Sequence, residues 1–234
     1  MKLSIVVPCY NEEKNIPLIL KRFNQAIKRS DVEVILVNNG STDNSQRVLE
    51  ECLFVYSFAR SVKVEVNKGY GFGILSGLKT SVGEYIGWTH ADMQTDPSDT
   101  MKALKIIEGK GNPKNIFIKG KRKGRHLIDN FFTLGMSIFD SFYLNKFLWD
   151  INAQPSIFHR DFLNSWKNPP HDFALDLYAL YLATKQKLNI VRFDVSFPKR
   201  IHGQSSWNRG GVKDKWKFIK RVMDFSIKLK KELR

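Results

Sequence analysis

The chain has 234 residues, of which 42% are hydrophobic and 26% charged, a composition that is typical of a globular protein and excludes disordered, collagen-like and low-complexity chains. Its formal net charge of +15 lies in one part of the sequence, because residues 1–100 carry 11 basic and 12 acidic side chains whereas residues 101–234 carry 27 and 11. This asymmetry favours a polyanionic partner, such as nucleic acid, an anionic bilayer or a phosphorylated ligand, over a merely solubilising surface.

The first half of the chain alternates strand and helix patterns. Short apolar runs rich in β-branched residues predict five strands, at 3–7, 33–37, 62–66, 84–88 and 115–119. Apolar residues at helical spacing predict helices between them, at 12–28, from the turn 38–43 to Leu53, at 72–82 and at 97–108. The alternation predicts an α/β fold with a mostly parallel sheet flanked by helices.

The second half has a different pattern. Residues 127–149 are aromatic and apolar but are interrupted by charged and amide side chains, which predicts one or two amphipathic helices and excludes a simple membrane span. A helix at 173–184, a strand at 189–197 and a last helix at 216–233 are predicted to follow.

Two features of the sequence concern the cellular location. Cys9 and Cys52 are too few for a disulfide framework and lack CxxC spacing, which favours a reducing compartment. The apolar run at residues 3–7 is too short for a signal peptide. We therefore expect a cytoplasmic protein.

In a parallel sheet, ligands bind at the carboxyl ends of the strands. The segments in that position are polar, glycine-rich or charged, and we expect them to meet at one edge: 8–13, 38–43, 67–73, 90–94 and 119–125. Common nucleotide and hydrolase motifs do not fit these segments. The glycines of 69–73 lack the GxGxxG frame, and the sequence contains no P-loop, no GxSxG elbow and no zinc spacing of its histidines.

Five segments resemble the GT-A glycosyltransferases of family 2, with most similarity to the branch of dolichyl- and polyprenyl-phosphate sugar synthases: 4–13, 37–43, 67–71, 83–87 and 91–94. Residues 197–205 resemble that branch's Arg-x-x-Gly-x-Ser segment. Each motif is weak alone, and their order and spacing carry the resemblance. It implies a GT-A (Rossmann-like) domain at 1–207, with a nucleotide-sugar part at 1–125 and an acceptor part at 126–207, followed by a basic amphipathic helix at 208–234.

The resemblance implies a divalent cation, Mn²⁺ or Mg²⁺, that binds the diphosphate of the donor and stabilises the leaving charge. Asp92 is the expected catalytic carboxylate and metal ligand, and Gln94 adds a neutral oxygen. His90 stands where the family usually has the first acidic residue of Asp-x-Asp. An imidazole ligand would favour Mn²⁺ over Mg²⁺. Alternatively Asp92 alone holds the metal and His90 lines the pocket.

The resemblance also implies a set of residues that bind the nucleotide sugar: Pro8, Tyr10, Glu12, Asn38, Asn39, Ala91, Arg122, Arg125 and Arg200. Asn38 and Asn39 stand where the family usually has two aspartates. An amide can match uracil or cytosine, whereas the two adjacent donors of guanine are best matched by a carboxylate. We therefore expect UDP or CDP to be favoured over GDP, unless the two asparagines serve only the turn before Gly40.

Asp172 and Asp176 are four residues apart, and we expect them on one helical face. Asp176 aligns with an acidic position of the family and is the candidate catalytic base or acceptor-site carboxylate. The alternative is a solvated helix residue. A phosphate acceptor would need little base catalysis.

Taken together, the residues and the resemblance predict a metal-dependent inverting glycosyltransferase. It would move a sugar from a nucleotide-diphospho-sugar to a polyprenyl phosphate or a lipid-linked saccharide. The alternatives are a sugar-phosphate nucleotidyltransferase and a basic nucleic-acid-binding module, although we expect no nucleic acid as partner.

The pattern of the last predicted helix indicates where such an enzyme would meet a lipid acceptor. Residues 208–234 carry a net charge of +7, with apolar side chains on one broad arc and basic ones opposite. This pattern suits an anionic bilayer surface and predicts peripheral association with the inner face of the membrane. Alternatively the apolar arc packs on the domain itself.

Overall fold

The computed structural model describes residues 1–124, 127–198, 200–202 and 212–232. Its strands are β1 (Leu3–Cys9), β2 (Val32–Asn39), β3 (Ala59–Val64), β4 (Tyr85–Trp88), β5 (Ile116–Lys123), β6 (Ser156–His159) and β7 (Asn189–Ser196). Its α-helices are α1 (Ile16–Ala26), α2 (Ser45–Leu53), α3 (Tyr70–Thr80), α4 (Ser98–Glu108), α5 (Leu127–Leu144), α6 (Arg160–Asn164), α7 (Leu175–Lys185) and α8 (Val212–Glu232).

The seven strands form one sheet in the order β3-β2-β1-β4-β6-β5-β7. All neighbouring pairs are parallel except those of β6, which runs antiparallel to β4 and to β5. The predicted α/β class and mostly parallel sheet are confirmed. Strand β6 was not predicted, because four residues after Pro155 are too few to show a periodicity.

Both faces of the sheet are covered, as the apolar runs predict. Successive side chains of a strand point to opposite faces, and Ile5, Val6 and Val7 are all fully buried. Val6 belongs to a core that includes residues of α3 and α7, whereas Ile5 and Val7 belong to a second core with residues of α1 and α4. The two cores hold the strand ends, and hence the loops after them, in fixed relative positions.

The C-terminal helix packs on α5 through its last turns. Ser226 Oγ donates to Asp140 Oδ1 at 2.7 Å, Lys230 Nζ donates to the backbone carbonyl of Tyr143 at 2.7 Å, and Leu229 is buried. Part of the apolar arc of this helix therefore packs on the domain itself. Trp216, near the start of α8, is 65% exposed. Within the described ranges, no helix is long and apolar enough to cross a membrane.

Candidate active site

A cavity of about 230 Å³ opens at the carboxyl edge of the sheet, beside the ends of β1, β2 and β4. It is lined by Pro8, Cys9, Tyr10, Glu12, Asn39, Asn67, Gly69, Tyr70, His90, Ala91, Asp92, Phe173 and Arg200. Four of the five segments expected at this edge thus meet here, joined by residues from the second half of the chain. Segment 119–125 contributes none of these lining residues.

The loop after β1 is fixed by hydrogen bonds to the loop after β2. Thr42 N donates to Asn11 Oδ1 at 2.8 Å, and Glu12 N donates to Ser45 Oγ at 2.9 Å. Asn11 has a left-handed φ of 58°, which turns the chain between Tyr10 and Glu12. Burial raises the pKa of Glu12, although a hydrogen bond from Asn15 opposes the shift. The loop therefore presents an aromatic ring and a carboxyl group to the cavity in a defined geometry.

Asn38 and Asn39 have different roles. Both ends of the Asn38 amide are used in the turn, because Oδ1 accepts from Ser41 N at 3.0 Å and Nδ2 donates to Gln46 Oε1 at 2.7 Å. Asn39 lines the cavity instead, and its Nδ2 donates to the backbone carbonyl of Gly69 at 3.0 Å. That bond fixes the amide orientation and leaves Asn39 Oδ1 buried without a hydrogen-bond partner among the described residues.

The opposite wall of the cavity is aromatic. Gly69 has a φ of 113°, and a Cβ at this position would lie 2.3 Å from the backbone carbonyl oxygen of His171. The glycine therefore allows the loop before α3 to pass close to the loop before α7. The ring of Tyr70 stacks on that of Phe173 at a centroid distance of 4.7 Å. Both rings line the cavity and close it on that side.

Asp92, Gln94 and Arg200 form a polar cluster. Arg200 Nη2 lies 2.8 Å from Asp92 Oδ2, and Arg200 Nε donates to Gln94 Oε1 at 3.0 Å. Gln94 N donates to Asp92 Oδ1 at 3.1 Å, while Met93 between them has a φ of 59°. This tight turn directs one carboxylate oxygen and one amide oxygen at the same cation.

His90 lies beside this cluster, with its ring 6.2 Å from that of Tyr70. Its pKa is lowered by burial, against the attraction of Asp92 and Asp176. The nearby guanidinium groups of Arg122 and Arg200 lower it further. A neutral imidazole is the form that can ligate a metal, and it is also a hydrogen-bonding group for a ligand.

The residues present fit a divalent cation that is only partly coordinated by protein. In the ranges that the structure covers, no cluster of three or more His, Cys, Asp or Glu side chains could hold a metal. Asp92 Oδ2 and Gln94 Oε1 nevertheless converge on the guanidinium of Arg200. Two oxygens that share one cationic partner can share a metal ion, provided that the ligand supplies further oxygens.

Asp176 lies beneath the cavity and does not line it. It is 2% exposed, so it is not a solvated helix residue. Its Oδ1 accepts from Gln154 Nε2 at 2.7 Å, from Lys119 Nζ at 3.2 Å and from Trp88 Nε1 at 3.3 Å. Burial lowers the pKa of Lys119 to about 8, against the attraction of Asp176.

A chain of contacts connects this buried pair to the cavity. Gln154 Nε2 also lies 3.4 Å from the hydroxyl of Tyr70, which is a cavity-lining residue. Asp172 precedes α7, and its Oδ1 accepts from Ala174 N at 2.9 Å. The expectation that Asp172 and Asp176 share a helical face is therefore wrong, because the helix begins only at Leu175.

Arg122 does not line the cavity. Its backbone N donates to Asp150 Oδ2 and its Nε to Asp150 Oδ1, each at 2.8 Å, and the pair is almost fully buried. Arg125, the weaker of the arginine candidates, lies outside the described residues.

Sequence reasoning missed Lys119, Gln154 and Asp150 as members of this region. The position of Lys119 could have indicated a buried partner, because it ends an apolar strand pattern and a buried strand seldom contains an unpaired lysine. Gln154 and Asp150 carried none, because they lie in a stretch where no element was predicted.

A mostly parallel sheet with carboxylate, amide and guanidinium groups at its carboxyl edge defines an α/β protein, and sheets of this kind bind their ligands at that edge. Residues 4–167 match the family model described as glycosyl transferase family 2. The chain therefore belongs to this family, and the resemblance is confirmed. The expectation of a glycosyltransferase is confirmed at the level of the family.

Two kinds of relatives are similar in sequence. The undecaprenyl-phosphate 4-deoxy-4-formamido-L-arabinose transferase of Pseudomonas fluorescens is 38% identical over 110 residues, which are 45% of this chain and 32% of that protein. The chain thus matches about a third of the length of such transferases. An uncharacterized protein of Methanocaldococcus jannaschii is 30% identical over 199 residues, which are 77% of this chain and 81% of that protein.

Solved structures show the same fold. Glucosyl-3-phosphoglycerate synthase from Mycobacterium tuberculosis, in complex with Mn²⁺ and UDP-glucose, has a TM-score of 0.70 at 16% identity, covering 98% of this chain and 78% of its own. TarS of S. aureus, in complex with UDP-GlcNAc, has a TM-score of 0.63 at 21% identity, covering 97% and 66%. The expected GT-A fold is confirmed.

Proposed function

We propose that the chain transfers a sugar from a nucleotide-diphospho-sugar to a polyprenyl phosphate or a lipid-linked saccharide, with inversion. The observation that carries this proposal is the convergence of Asp92, Arg200 and Asn39 on one cavity of a family 2 fold, where Arg200 also donates to Gln94. In this arrangement residues 1–125 supply most of the donor site, and residues 126–207 face the acceptor.

The nucleobase lies against Asn39. The buried Oδ1 of Asn39 has no hydrogen-bond partner among the described residues. The N3–H of uracil can donate to this oxygen. The fixed Nδ2–Gly69 bond keeps the amide from turning over to match a different base. We therefore expect UDP to bind most tightly. CDP would bind next, because the exocyclic amine of cytosine can also donate to Asn39 Oδ1, and GDP would bind least well. Tyr10 and Glu12 lie on the side where base and ribose bind.

The diphosphate lies near Asp92 and Arg200. Asp92, with Gln94 or His90, would hold a divalent cation, which would supply charge stabilisation for the leaving group. Arg200 then exchanges its contact with Asp92 for a phosphate, which its planar fork matches in two hydrogen bonds. The ion pair between Asp92 and Arg200 keeps both side chains at the mouth of the site before the donor arrives.

The acceptor assignment comes from the relatives that are named undecaprenyl-phosphate sugar transferases. Their acceptor is a lipid phosphate, and an acceptor that is already an anion needs little base catalysis. Asp176 then serves the acceptor side as a buried carboxylate that orients Gln154 and, through it, Tyr70. A lipid acceptor also implies that the chain works at a membrane surface, and we propose that this is the inner face.

The test is a thermal-shift panel with UDP, UDP-sugars, CDP and GDP, each with and without Mn²⁺, followed by a transfer assay onto undecaprenyl phosphate. We expect UDP-sugars to raise the melting temperature most, because ligands that bind only the folded state stabilise it. Release of pyrophosphate from UTP and a sugar phosphate would instead identify a nucleotidyltransferase. Salt-sensitive RNA or DNA binding without nucleotide-sugar binding would identify a nucleic-acid-binding module.

A further inference from the structure

The end of α5 exposes a group of large apolar side chains. Phe142 is 89% exposed and Phe147 is 82% exposed, and Ile138 and Trp149 are also exposed. Leu148, which lies between Phe147 and Trp149, is buried. The buried Leu148 therefore anchors this segment on the domain, while the neighbouring aromatic rings face solvent. Adjacent apolar groups of this size on a surface usually indicate a contact with a partner or a membrane.

Hydrogen bonds hold this end of the helix in a fixed shape. Asn145 directly follows α5 and has a left-handed φ of 51°, and Lys146 N donates to the backbone carbonyl of Ser141 at 3.1 Å. The hydroxyl of Ser141 then accepts from Leu148 N at 2.9 Å. The rings of Phe142 and Phe147 thus project from a defined turn, so that little conformational freedom is lost when they are covered.

Positive charge borders the aromatic rings. An open groove of about 720 Å³ is lined by Lys121, Phe147, Trp149, Arg192, Phe193 and Asp194. The acidic member of the groove, Asp194, is paired with Lys123 at 2.9 Å. Basic side chains therefore outnumber acidic ones around the groove, which makes it complementary to phosphate groups rather than to a basic surface.

We propose that this α5-end surface, formed by Ile138, Phe142, Phe147 and Trp149 with Lys121 and Arg192, docks the chain on an anionic lipid bilayer. The aromatic rings enter the boundary between headgroups and acyl chains, and the exposed Lys121 faces lipid phosphates. Arg192 adds positive charge at the groove while its guanidinium donates to the backbone carbonyls of Gly120 and Trp149. Phe and Trp next to Lys and Arg is the combination that interfacial surfaces use. A surface contact of this kind needs no spanning helix.

The position of the surface connects it to the site. Trp149 adjoins Asp150, which holds Arg122 in a buried ion pair, and four residues further on Gln154 contacts the hydroxyl of the cavity-lining Tyr70 at 3.4 Å. The membrane contact extends the proposed function. It rests on that function only for the statement that the acceptor is a lipid phosphate. A bilayer that touches Trp149 would deliver a lipid phosphate along this side of the cavity.

The experiment is co-sedimentation of the full chain with vesicles of phosphatidylcholine, alone or mixed with phosphatidylglycerol. The Phe142→Ser/Phe147→Ser double variant removes the two most exposed rings of this surface. Its matched control is Phe54→Ser/Val55→Ser, at the end of α2, where the two side chains are 93% and 74% exposed. Lys121→Glu tests the charge, with the exposed Lys110→Glu as its control.

We expect the native chain to pellet with the anionic vesicles. The double variant should lose at least about tenfold in vesicle partitioning, and Lys121→Glu about fivefold on anionic vesicles. Both controls should bind as the native chain does. Equal binding of the native chain and the double variant would overturn the proposal, as would a native chain that stays in the supernatant.

Three further outcomes are informative. Loss of binding in Trp216→Ser, with full binding in the double variant, would assign the contact to α8 and overturn the proposal. A native dimer that dissociates in the double variant, with no vesicle binding, would assign the surface to a second copy. UDP-sugar thermal shifts on the same proteins separate the two proposals, because a chain that docks without binding nucleotide sugars contradicts only the proposed function.

Discussion

Arg200 Nη2 lies 2.8 Å from Asp92 Oδ2, and this contact joins the loop after β4 to the loop after β7. The same guanidinium donates to Gln94 Oε1, so two oxygens of the candidate metal site share an internal cation. A divalent ion that binds these oxygens has to displace Arg200. Metal binding at these oxygens would therefore release a side chain that can bind phosphate.

The Asp92→Asn variant should lose transfer activity by at least about 100-fold, because a neutral amide removes the carboxylate that we expect to hold the cation. The fold should persist, since Asn Oδ1 can still accept from Arg200. The measurements are sugar transfer with Mn²⁺ and the melting temperature without ligand. Near-native activity in the variant, or in native protein with excess chelator, would contradict the metal role of Asp92.

The His90→Asp variant tests whether His90 is a ligand. If it is, a second carboxylate in place of imidazole should shift the preference from Mn²⁺ towards Mg²⁺, because hard oxygen ligands suit Mg²⁺. Activity is compared over a concentration series of each ion. An unchanged ratio of the two ions would assign His90 to the pocket wall.

The Asn39→Ala variant should weaken UDP binding about tenfold, because it removes the acceptor that we propose for the base. Asn38→Ala is the matched control. It should lower the free energy of unfolding by about 1–2 kcal/mol, since Ser41 N and Gln46 lose their partner, and should leave the UDP affinity of the folded protein unchanged. Equal effects of the two variants on UDP affinity would contradict their separate roles.

The Asp140→Asn variant should gain stability at neutral pH. Burial raises the pKa of Asp140 to about 6, so in the native protein this carboxyl reduces stability as the pH rises from about 4 to 6, where the unfolded chain ionises first. The amide avoids that cost and can still accept from Ser226. We expect a gain of about 1–2 kcal/mol at pH 7 that disappears near pH 4.

Urea unfolding at both pH values measures this difference, with the exposed Asp224→Asn on α8 as control. A gain that is the same at pH 4 and pH 7 would show that ionisation of Asp140 is not its cause.

The Gly77→Ala variant should be destabilised although alanine favours helices. A Cβ at Gly77 would lie 2.5 Å from Val6 Cγ1, where α3 packs directly on β1, and overpacking of this kind costs about 1–3 kcal/mol. A Cβ at Gly135 in α5 would have no atom of the described residues outside its own helix backbone within 4 Å, so Gly135→Ala should stabilise the chain by up to about 1 kcal/mol. Urea unfolding compares the two, and shifts of the same sign would contradict the packing argument.

The sequence by itself determined the alternation of buried strands and helices, because the apolar runs of β1 and β2 have no polar face. It also determined which segments follow the strands. Since the carboxyl ends of parallel strands share an edge, the meeting of Tyr10, Asn39 and Asp92 in one cavity could be expected from chain order alone.

The tertiary structure decided how neighbouring residues divide their roles. Asn38 and Asn39 are alike in the sequence, but successive side chains of a strand point to opposite faces. The packing of α3 makes the face of Asn39 a cavity wall. Asn38, on the other face, holds the turn. The buried pair of Lys119 and Asp176 likewise joins β5 to α7. No local pattern encodes such a contact, because its partners are far apart in sequence and meet only when the sheet and the helices have packed.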